Sequence, residues 1–139
     1  MSKILALDLG DQWIGIAISD ASRFFARPLE TVNILELELH LSKLLEKEKI
    51  QEVVIGNPLT MKGLTSNQTY KAQNYKKELE SKFNTVKFIL WDERLSSKRA
   101  EAVRRPKNKD EKIKSHSIAA AFILDSYLSY LKFQSSELE

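Results

Sequence analysis

The fold is decided by two apolar runs near the start of the chain, Ile4-Leu-Ala-Leu-Asp-Leu-Gly10 and Ile14-Gly-Ile-Ala-Ile-Ser-Asp20. Each run is typical of a β-strand, and the Gly and Asp residues between them predict a tight turn. The first strand ends at Asp8, and a carboxylate beside an apolar run is costly unless it is paired, hydrogen-bonded or bound to a cation. Residues 4–20 therefore predict an antiparallel strand pair that presents one acidic side chain.

The composition is that of one ordinary globular domain. The 139 residues are 42% hydrophobic and 29% charged. This content suffices for one hydrophobic core, and the chain is too short for two. The lack of cysteine excludes disulfides and thiolate metal sites. No apolar stretch has the length that spans a bilayer, and Asp8 interrupts the N-terminal run, so we expect a cytoplasmic protein without a signal peptide or membrane association.

The remaining elements follow from hydrophobic periodicity and capping residues. Residues 33–49 fit both a strand and a helix, and we predict a helix because Asn33 and Glu36 form a capping-box pattern. Thr65 and Gln68 predict a second capping box. The expected strands are residues 3–8, 13–19, 24–32, 51–56 and 86–91. The expected helices are 33–49, 65–82, 96–104 and 117–131, with a basic loop before the last helix and a frayed tail at 132–139.

The order β-β-β-α-β-α-β-α predicts an α/β fold with a mixed five-stranded sheet flanked by helices. Strand three contains Pro28, which cannot donate to a neighbouring strand, and therefore belongs at the edge of the sheet. In the usual arrangement strand one is central and strand four lies beside it. Asp8 then lies at the carboxyl end of the sheet, where ligands of open α/β sheets bind.

Three places along the chain put chemically useful side chains near that edge: Asp8, the pair Asp92-Glu93, and His116. A site rich in carboxylate oxygens suits Mg²⁺ or Mn²⁺ and not zinc. We favour Glu93 over Asp92, because Glu93 is long enough to cross strand four, where Gly56 leaves space, and Asp92 alternates to the opposite face. Taken singly, each of these residues also has a structural explanation as a turn, ion-pair or capping residue.

A basic segment lies between Lys98 and Lys114, with eight basic and three acidic residues. Such a segment favours a polyanionic partner, and it equally fits a solvated loop without a ligand. If the partner is a nucleic acid, the candidate phosphate-binding residues are Arg94, Arg99, Arg104, Arg105 and Lys107.

Four ordered motifs resemble the YqgF/RuvX family over about residues 3–131. They are Leu7-Asp-Leu-Gly10 with the run to Asp20, Val53-Val-Ile-Gly-Asn-Pro-Leu-Thr-Met-Lys-Gly63, Trp91-Asp-Glu-Arg-Leu-Ser-Ser97, and Ser117-Ile-Ala-Ala-Ala-Phe-Ile-Leu-Asp-Ser-Tyr-Leu128. The resemblance implies a fold like that of RNase H and RuvC resolvases. It also implies a bacterial nuclease described as a pre-16S rRNA processing enzyme, and earlier as a Holliday junction resolvase.

The resemblance implies that Asp8 and Glu93 are metal-binding and catalytic, and it places His116 where the family usually has Asp. A neutral imidazole can bind a divalent ion or act as a general acid or base, but it adds no negative charge, so Mn²⁺ could be favoured over Mg²⁺. A site that has decayed to nucleic-acid binding alone is the alternative. Gln12-Trp13 replaces a common basic pair and offers an aromatic surface for base stacking.

The sequence therefore predicts a metal-dependent endonuclease for structured nucleic acid, most simply one that processes the 5′ end of pre-16S rRNA. The expected RNase H-like nuclease domain covers residues 1–131, followed by the C-terminal tail, and the protein is expected to be a monomer or a weak homodimer. One alternative is a Holliday junction resolvase, which would cut as a dimer. Another is a non-catalytic RNA-binding or ribosome-assembly factor, which would bind in a salt-sensitive way without turnover.

Overall fold

The computed structural model describes residues 2–58, 66–93 and 108–138. Its centre is one mixed sheet of five strands in the order β3-β2-β1-β4-β5. The strands β1 to β3 are antiparallel neighbours, whereas β4 and β5 run parallel to β1. The strands are β1 Ile4–Leu9, β2 Trp13–Ser19, β3 Ala26–Asn33, β4 Glu52–Asn57 and β5 Lys87–Asp92. The predicted fold class, strand order and central position of β1 are confirmed.

Pro28 lies in the edge strand β3, as predicted. The pairing between β2 and β3 shifts register between Ile16 and Ala17, which pair with Glu30 and Pro28 respectively. A residue without a backbone N–H is tolerated at an edge or at such an irregularity because no ladder hydrogen bond is lost there. The proline is therefore compatible with this edge strand.

Each face of the sheet is covered by helices and has its own apolar core. One face packs against a short 3₁₀ turn and two α-helices, and the other packs against the long final helix. Successive side chains of β1 point to opposite faces of the sheet, so Leu5 and Leu7 belong to the first core, while Ile4 and Ala6 belong to the second. Within the described residues no helix could cross a membrane. The helical elements are the 3₁₀ turn Ile34–Glu36, α1 Leu37–Lys47, α2 Asn67–Lys82 and α3 Lys109–Leu138.

The capping box of α2 involves a different pair of residues from the predicted one. Ser66 is the N-cap, its hydroxyl accepts a hydrogen bond from the Thr69 N–H, and the Thr69 hydroxyl accepts one from the Ser66 N–H. Thr69 is fully buried and also donates to the carbonyl of Pro58, so tertiary contact selects this register. The prediction of Thr65 with Gln68 is wrong by one position, and Thr65 itself lies outside the described residues.

The final helix is longer than predicted at both ends. Residues 109–114 were expected in a loop, but α3 begins at Lys109, where the Asn108 side chain accepts a hydrogen bond from the Glu111 N–H. Asp110 and Glu111 also favour a helix start electrostatically. At the other end α3 continues past Leu131 to Leu138, although residues 132–139 were expected to be frayed. Predicted helix 96–104 lies outside the described residues.

Candidate active site

Asp8 is flanked by a glycine on each neighbouring strand, on the face that α3 covers. It pairs with Gly15 of β2. On the other side Leu7 pairs with Ile55, so Gly56 stands next to Asp8 in the parallel register. Because glycine has no side chain, the surface on both sides of the Asp8 carboxyl is open to groups from other elements. Two such groups use these openings.

The first opening is filled by the backbone of α3 at His116. A Cβ atom added to Gly15 would lie 1.9 Å from the carbonyl oxygen of His116 and 2.6 Å from the nitrogen of Ser117. No side chain fits in that space, so only glycine allows the helix to come this close. The imidazole Nδ1 of His116 then lies 3.3 Å from Oδ2 of Asp8. The structure thus brings together two predicted site residues that are 108 positions apart.

The second opening is filled by the side chain of Glu93. A Cβ atom added to Gly56 would lie 2.5 Å from Oε1 of Glu93 and 3.0 Å from its Cγ. The side chain therefore crosses β4 above Gly56, as the sequence predicts, and its carboxyl is hydrogen-bonded to Asp8. Asp92 ends β5 opposite Asn57 and belongs to the other face by alternation.

The contact between two carboxyl groups changes the protonation of Glu93. Burial, the charge of Asp8, the hydrogen bond to Asp8 and the charge of Asp92 together raise the pKa of Glu93 to about 8. At neutral pH and without a nearby cation, Glu93 therefore keeps its proton, and its O–H donates a hydrogen bond to the Asp8 carboxylate. A perturbed carboxyl pair of this kind is typical of a functional site.

The donor set fits a hard divalent cation. Mg²⁺ is commonly held by one or two carboxylates, with water and phosphate oxygens completing its coordination, and Asp8 with Glu93 offers that number. A cation between the two carboxyls would also remove the repulsion that keeps Glu93 protonated. Across residues 2–58, 66–93 and 108–138, no three or more acidic or histidine side chains are already spaced to hold a metal ion.

The other predicted site residues, which are Arg94, Arg99, Arg104, Arg105 and Lys107, lie outside the described residues, so their role in binding nucleic acid stays a prediction.

Asp20, the acid that follows β2, is a turn residue. Its carboxylate accepts hydrogen bonds from the N–H groups of Phe24 and Phe25, and these together with the Ser22 hydroxyl lower its pKa to about 2.

Sequence reasoning missed the close packing at Gly15 and two lysines of α3. A glycine inside an apolar strand is a signal of close backbone approach, and Gly15 carries that signal. The sequence predicts a loop at Lys109 and Lys112, which the structure places in α3. Together with Trp13, Ile113 and His116 they line a cleft of about 340 Å³ beside the β1–β2 turn.

The sheet order, the covering helices and the carboxyl pair define an RNase H-like α/β protein. Two solved structures share the fold. T. thermophilus RuvC in complex with Holliday junction substrate matches with a TM-score of 0.60 and 12% identity, over 94% of this chain and 96% of that chain. A second Thermus thermophilus RuvC structure matches with a TM-score of 0.56 and 15% identity, over 95% and 96% of the two chains.

Sequence comparison identifies the family. The model of RuvX, described as Holliday junction resolvase, matches residues 2–130. A Rubrobacter xylanophilus protein named "Putative pre-16S rRNA nuclease" is 36% identical over 127 residues, which is 91% of both chains. A Bacillus subtilis protein of the same name is 36% identical, over 93% of this chain and 99% of its own. The chain belongs to the RuvX family, and the family and nuclease class predicted from the sequence are confirmed.

Proposed function

We propose that this protein is a metal-dependent endonuclease that cleaves phosphodiester bonds in structured RNA and processes the 5′ end of pre-16S rRNA. The observation that carries the proposal is the hydrogen-bonded pair of Asp8 and Glu93, with His116 at 3.3 Å from Asp8. The names of the relatives support the choice of RNA, because the chain covers nearly all of their length. The basic residues between Arg94 and Lys107 are proposed to bind the phosphate backbone.

In this proposal Asp8 and Glu93 hold Mg²⁺ or Mn²⁺ at the carboxyl end of the sheet. A bound divalent ion supplies activation of water and neutralises charge that develops at the phosphate. Glu93 must release its proton before both carboxylates can bind the ion, so ion binding and deprotonation are coupled. Asp8 is held in place by its strand and by the contact with His116.

His116 is proposed as the third functional residue. Its imidazole either completes the ligand set or accepts and donates a proton near the cleaved bond, and both roles are consistent with a ring beside Asp8. Because a neutral ring adds no negative charge, the proposal expects activity with Mn²⁺ to exceed activity with Mg²⁺. His116→Asp restores a third carboxylate, and we expect it to shift the preference back toward Mg²⁺.

Cleavage of a precursor 16S rRNA fragment with Mg²⁺ or Mn²⁺ tests the proposal. The wild-type protein should produce a defined 5′ end, and the Asp8→Asn and Glu93→Gln variants should not. Glu46→Gln makes the same chemical change on the exposed side of α1 and serves as the matched control. Undiminished cleavage by Asp8→Asn would refute the assignment of Asp8 to the active site.

A four-way DNA junction is the second candidate substrate, because the matching family model is described as Holliday junction resolvase. Paired symmetric cuts require two active sites, so this function predicts a dimer on the junction. Parallel assays with precursor rRNA and with junction DNA, combined with the mass of each complex in solution, distinguish the two. Junction cleavage by a dimer, with intact rRNA, would replace the RNA proposal.

A non-catalytic RNA-binding protein is the remaining alternative. It predicts RNA binding that weakens steeply with salt and does not need Asp8 or a divalent ion. Filter binding in EDTA, followed by addition of Mn²⁺, separates the two functions. Binding without any metal-dependent product would favour this alternative over the nuclease.

A further inference from the structure

A cleft beside the carboxyl pair is lined by His116 and by residues that have no part in the proposed chemistry. We name it the Trp13 groove, and define it by Trp13 on one wall and by Lys109, Lys112, Ile113 and His116 of α3 on the other. Its volume is about 340 Å³, within the usual range for small-ligand sites. Because His116 lines the groove and also contacts Asp8, a strand lying in the groove would lead directly to the carboxyl pair.

The Trp13 side of the groove is held in place by backbone hydrogen bonds. The carbonyl of Trp13 accepts a hydrogen bond of 3.0 Å from the Gly10 N–H, which closes the β1–β2 turn. The carbonyl of Gln12 accepts one of 2.8 Å from the Ile34 N–H. The backbone that carries the Trp13 indole is therefore held by hydrogen bonds to the β1–β2 turn and to Ile34.

The α3 side is anchored to the same sheet. The Thr31 hydroxyl donates a 2.9 Å hydrogen bond to the carbonyl of Ile113, and the helix backbone rests on Gly15 three residues further along. The separation of the two walls is thus fixed by the fold. A preformed cleft of this kind binds with little ordering cost.

The charge of the groove is positive. Lys109 and Lys112 are exposed and lie one helical turn apart, so both amines can reach one anion. Among the described residues no ion pair includes either lysine. Asp11 also lines the groove, but its carboxylate is 2.7 Å from the Lys71 amine, whose hydrogen bond lowers the pKa of Asp11. The acid in the groove is therefore paired with Lys71, whereas neither groove lysine has an ion-pair partner in the part of the chain that the structure describes.

We propose that the Trp13 groove binds one unpaired nucleotide next to the cleaved phosphodiester, with its base stacked on Trp13 and its phosphate at Lys109 and Lys112. An aromatic face beside cations is the combination that binds single strands, and bases inside a duplex cannot offer a face to it. The inference rests on the proposed function and refines it, since the substrate must then carry an unpaired nucleotide beside the cleavage site.

Intrinsic fluorescence tests the inference without catalysis. The chain has two tryptophans, so a Trp91→Phe protein reports on Trp13 alone. In EDTA, a short unstructured RNA should quench Trp13 emission, and a blunt RNA duplex should quench it far less. Trp13→Ala, made in the wild-type protein and read by fluorescence anisotropy of labelled RNA, should weaken single-strand binding about 5- to 150-fold, and Trp13→Phe should retain most of it.

The lysines are tested by the salt dependence of binding. Removing both with Lys109→Ala and Lys112→Ala should reduce the slope of log affinity against log salt by about 0.7, because the two lysines share one phosphate and each phosphate contact to a single strand contributes about 0.7. Lys43→Ala with Lys47→Ala removes the same charge from exposed positions of α1 and is the matched control. An unchanged slope, or equal quenching by the duplex, would overturn the groove assignment.

The two proposals fail in different ways. Normal cleavage with an unchanged KM in Trp13→Ala would refute the groove and leave the nuclease in place. Quenching and slope changes as expected, without any metal-dependent cleavage, would support the groove and refute the nuclease. A thermal unfolding curve for each variant shows whether a loss of binding reflects a loss of folding.

Discussion

Two aspartates close the first two strands, and their surroundings are opposite. Asp20 follows β2 and receives hydrogen bonds from Phe24 and Phe25, at most five positions away, and its pKa falls to about 2. Asp8 lies near the end of β1 and meets a second carboxyl, so the pKa of Glu93 rises to about 8. A strand-end acid surrounded by local donors stabilises a turn. One that faces another acid is poised to bind a cation.

The largest expected effect is on cleavage by Asp8→Asn compared with Asp20→Asn. Loss of Asp8 should lower the rate of metal-dependent cleavage by at least about 100-fold, because even outer groups around a metal site are worth 10- to 100-fold. Asp20→Asn should leave the rate near that of the wild type. Single-turnover assays at saturating Mn²⁺ measure the cleavage rates of both variants. Similar losses of rate would contradict the different roles assigned to Asp8 and Asp20.

Next in size is the effect of Gly15→Ala on stability. The added methyl group would meet the backbone of α3 at 1.9 Å, and backbone cannot move aside as a side chain can, so we expect a loss of about 1–3 kcal/mol or more. Gly56→Ala is the matched comparison, because its methyl group would meet only side-chain atoms closely, Oε1 of Glu93 at 2.5 Å and Cδ1 of Ile123 at 2.7 Å. We expect Gly56→Ala to cost less stability and more activity, as measured by urea unfolding and cleavage assays.

A smaller effect is expected in the pH dependence of stability without metal. The folded state keeps a proton on Glu93 up to a pH of about 8, whereas the unfolded chain loses it near the ordinary value of 4.5. The folded state therefore binds more protons between these values, and stability falls as pH rises through them. Glu93→Gln should remove this fall and raise the unfolding free energy above pH 8 by about 1–2 kcal/mol.

Urea unfolding in EDTA from pH 5 to pH 9 compares the stability of the wild-type protein with that of the Glu93→Gln variant. Added Mn²⁺ should stabilise the wild-type protein increasingly as pH rises, since ion binding displaces the Glu93 proton. The Glu93→Gln variant should show little of this gain. A wild-type stability that is flat or rising between pH 5 and pH 8 without metal would contradict the contact between the two carboxyl groups.

The smallest expected effect belongs to Asp20. Its lowered pKa means that its contribution to stability is present above the ordinary value of 3.8 and is lost as pH falls toward 2. Ser22→Ala removes one of its donors, so the acid unfolding midpoint should move slightly upward, with no change in cleavage. Circular dichroism during acid titration measures this shift. A change in cleavage would contradict a purely structural role for Asp20.

Much of the sheet could be predicted because its signals are local. The apolar runs of β1 and β2 and Pro28 in β3 predict the strands and the edge, and Gly56 indicates that Glu93, not Asp92, reaches Asp8. The start of α3 could not be read from charge alone, since Lys109 and Lys112 resemble loop residues until the helix is docked against Thr31. Likewise, the capping register of α2 depends on the contact of Thr69 with Pro58.

The sequence by itself determined the strand pair, the position of Asp8 at the carboxyl end of the sheet, and the space that Gly56 leaves for Glu93, because these follow from hydrophobic patterning and from residue size. Only the tertiary structure decided the pKa of Glu93, the 3.3 Å contact of His116 with Asp8, and the groove beside Trp13. The physical reason is distance along the chain. Electrostatic coupling and packing act between atoms that folding brings together, and they leave no local pattern in the sequence.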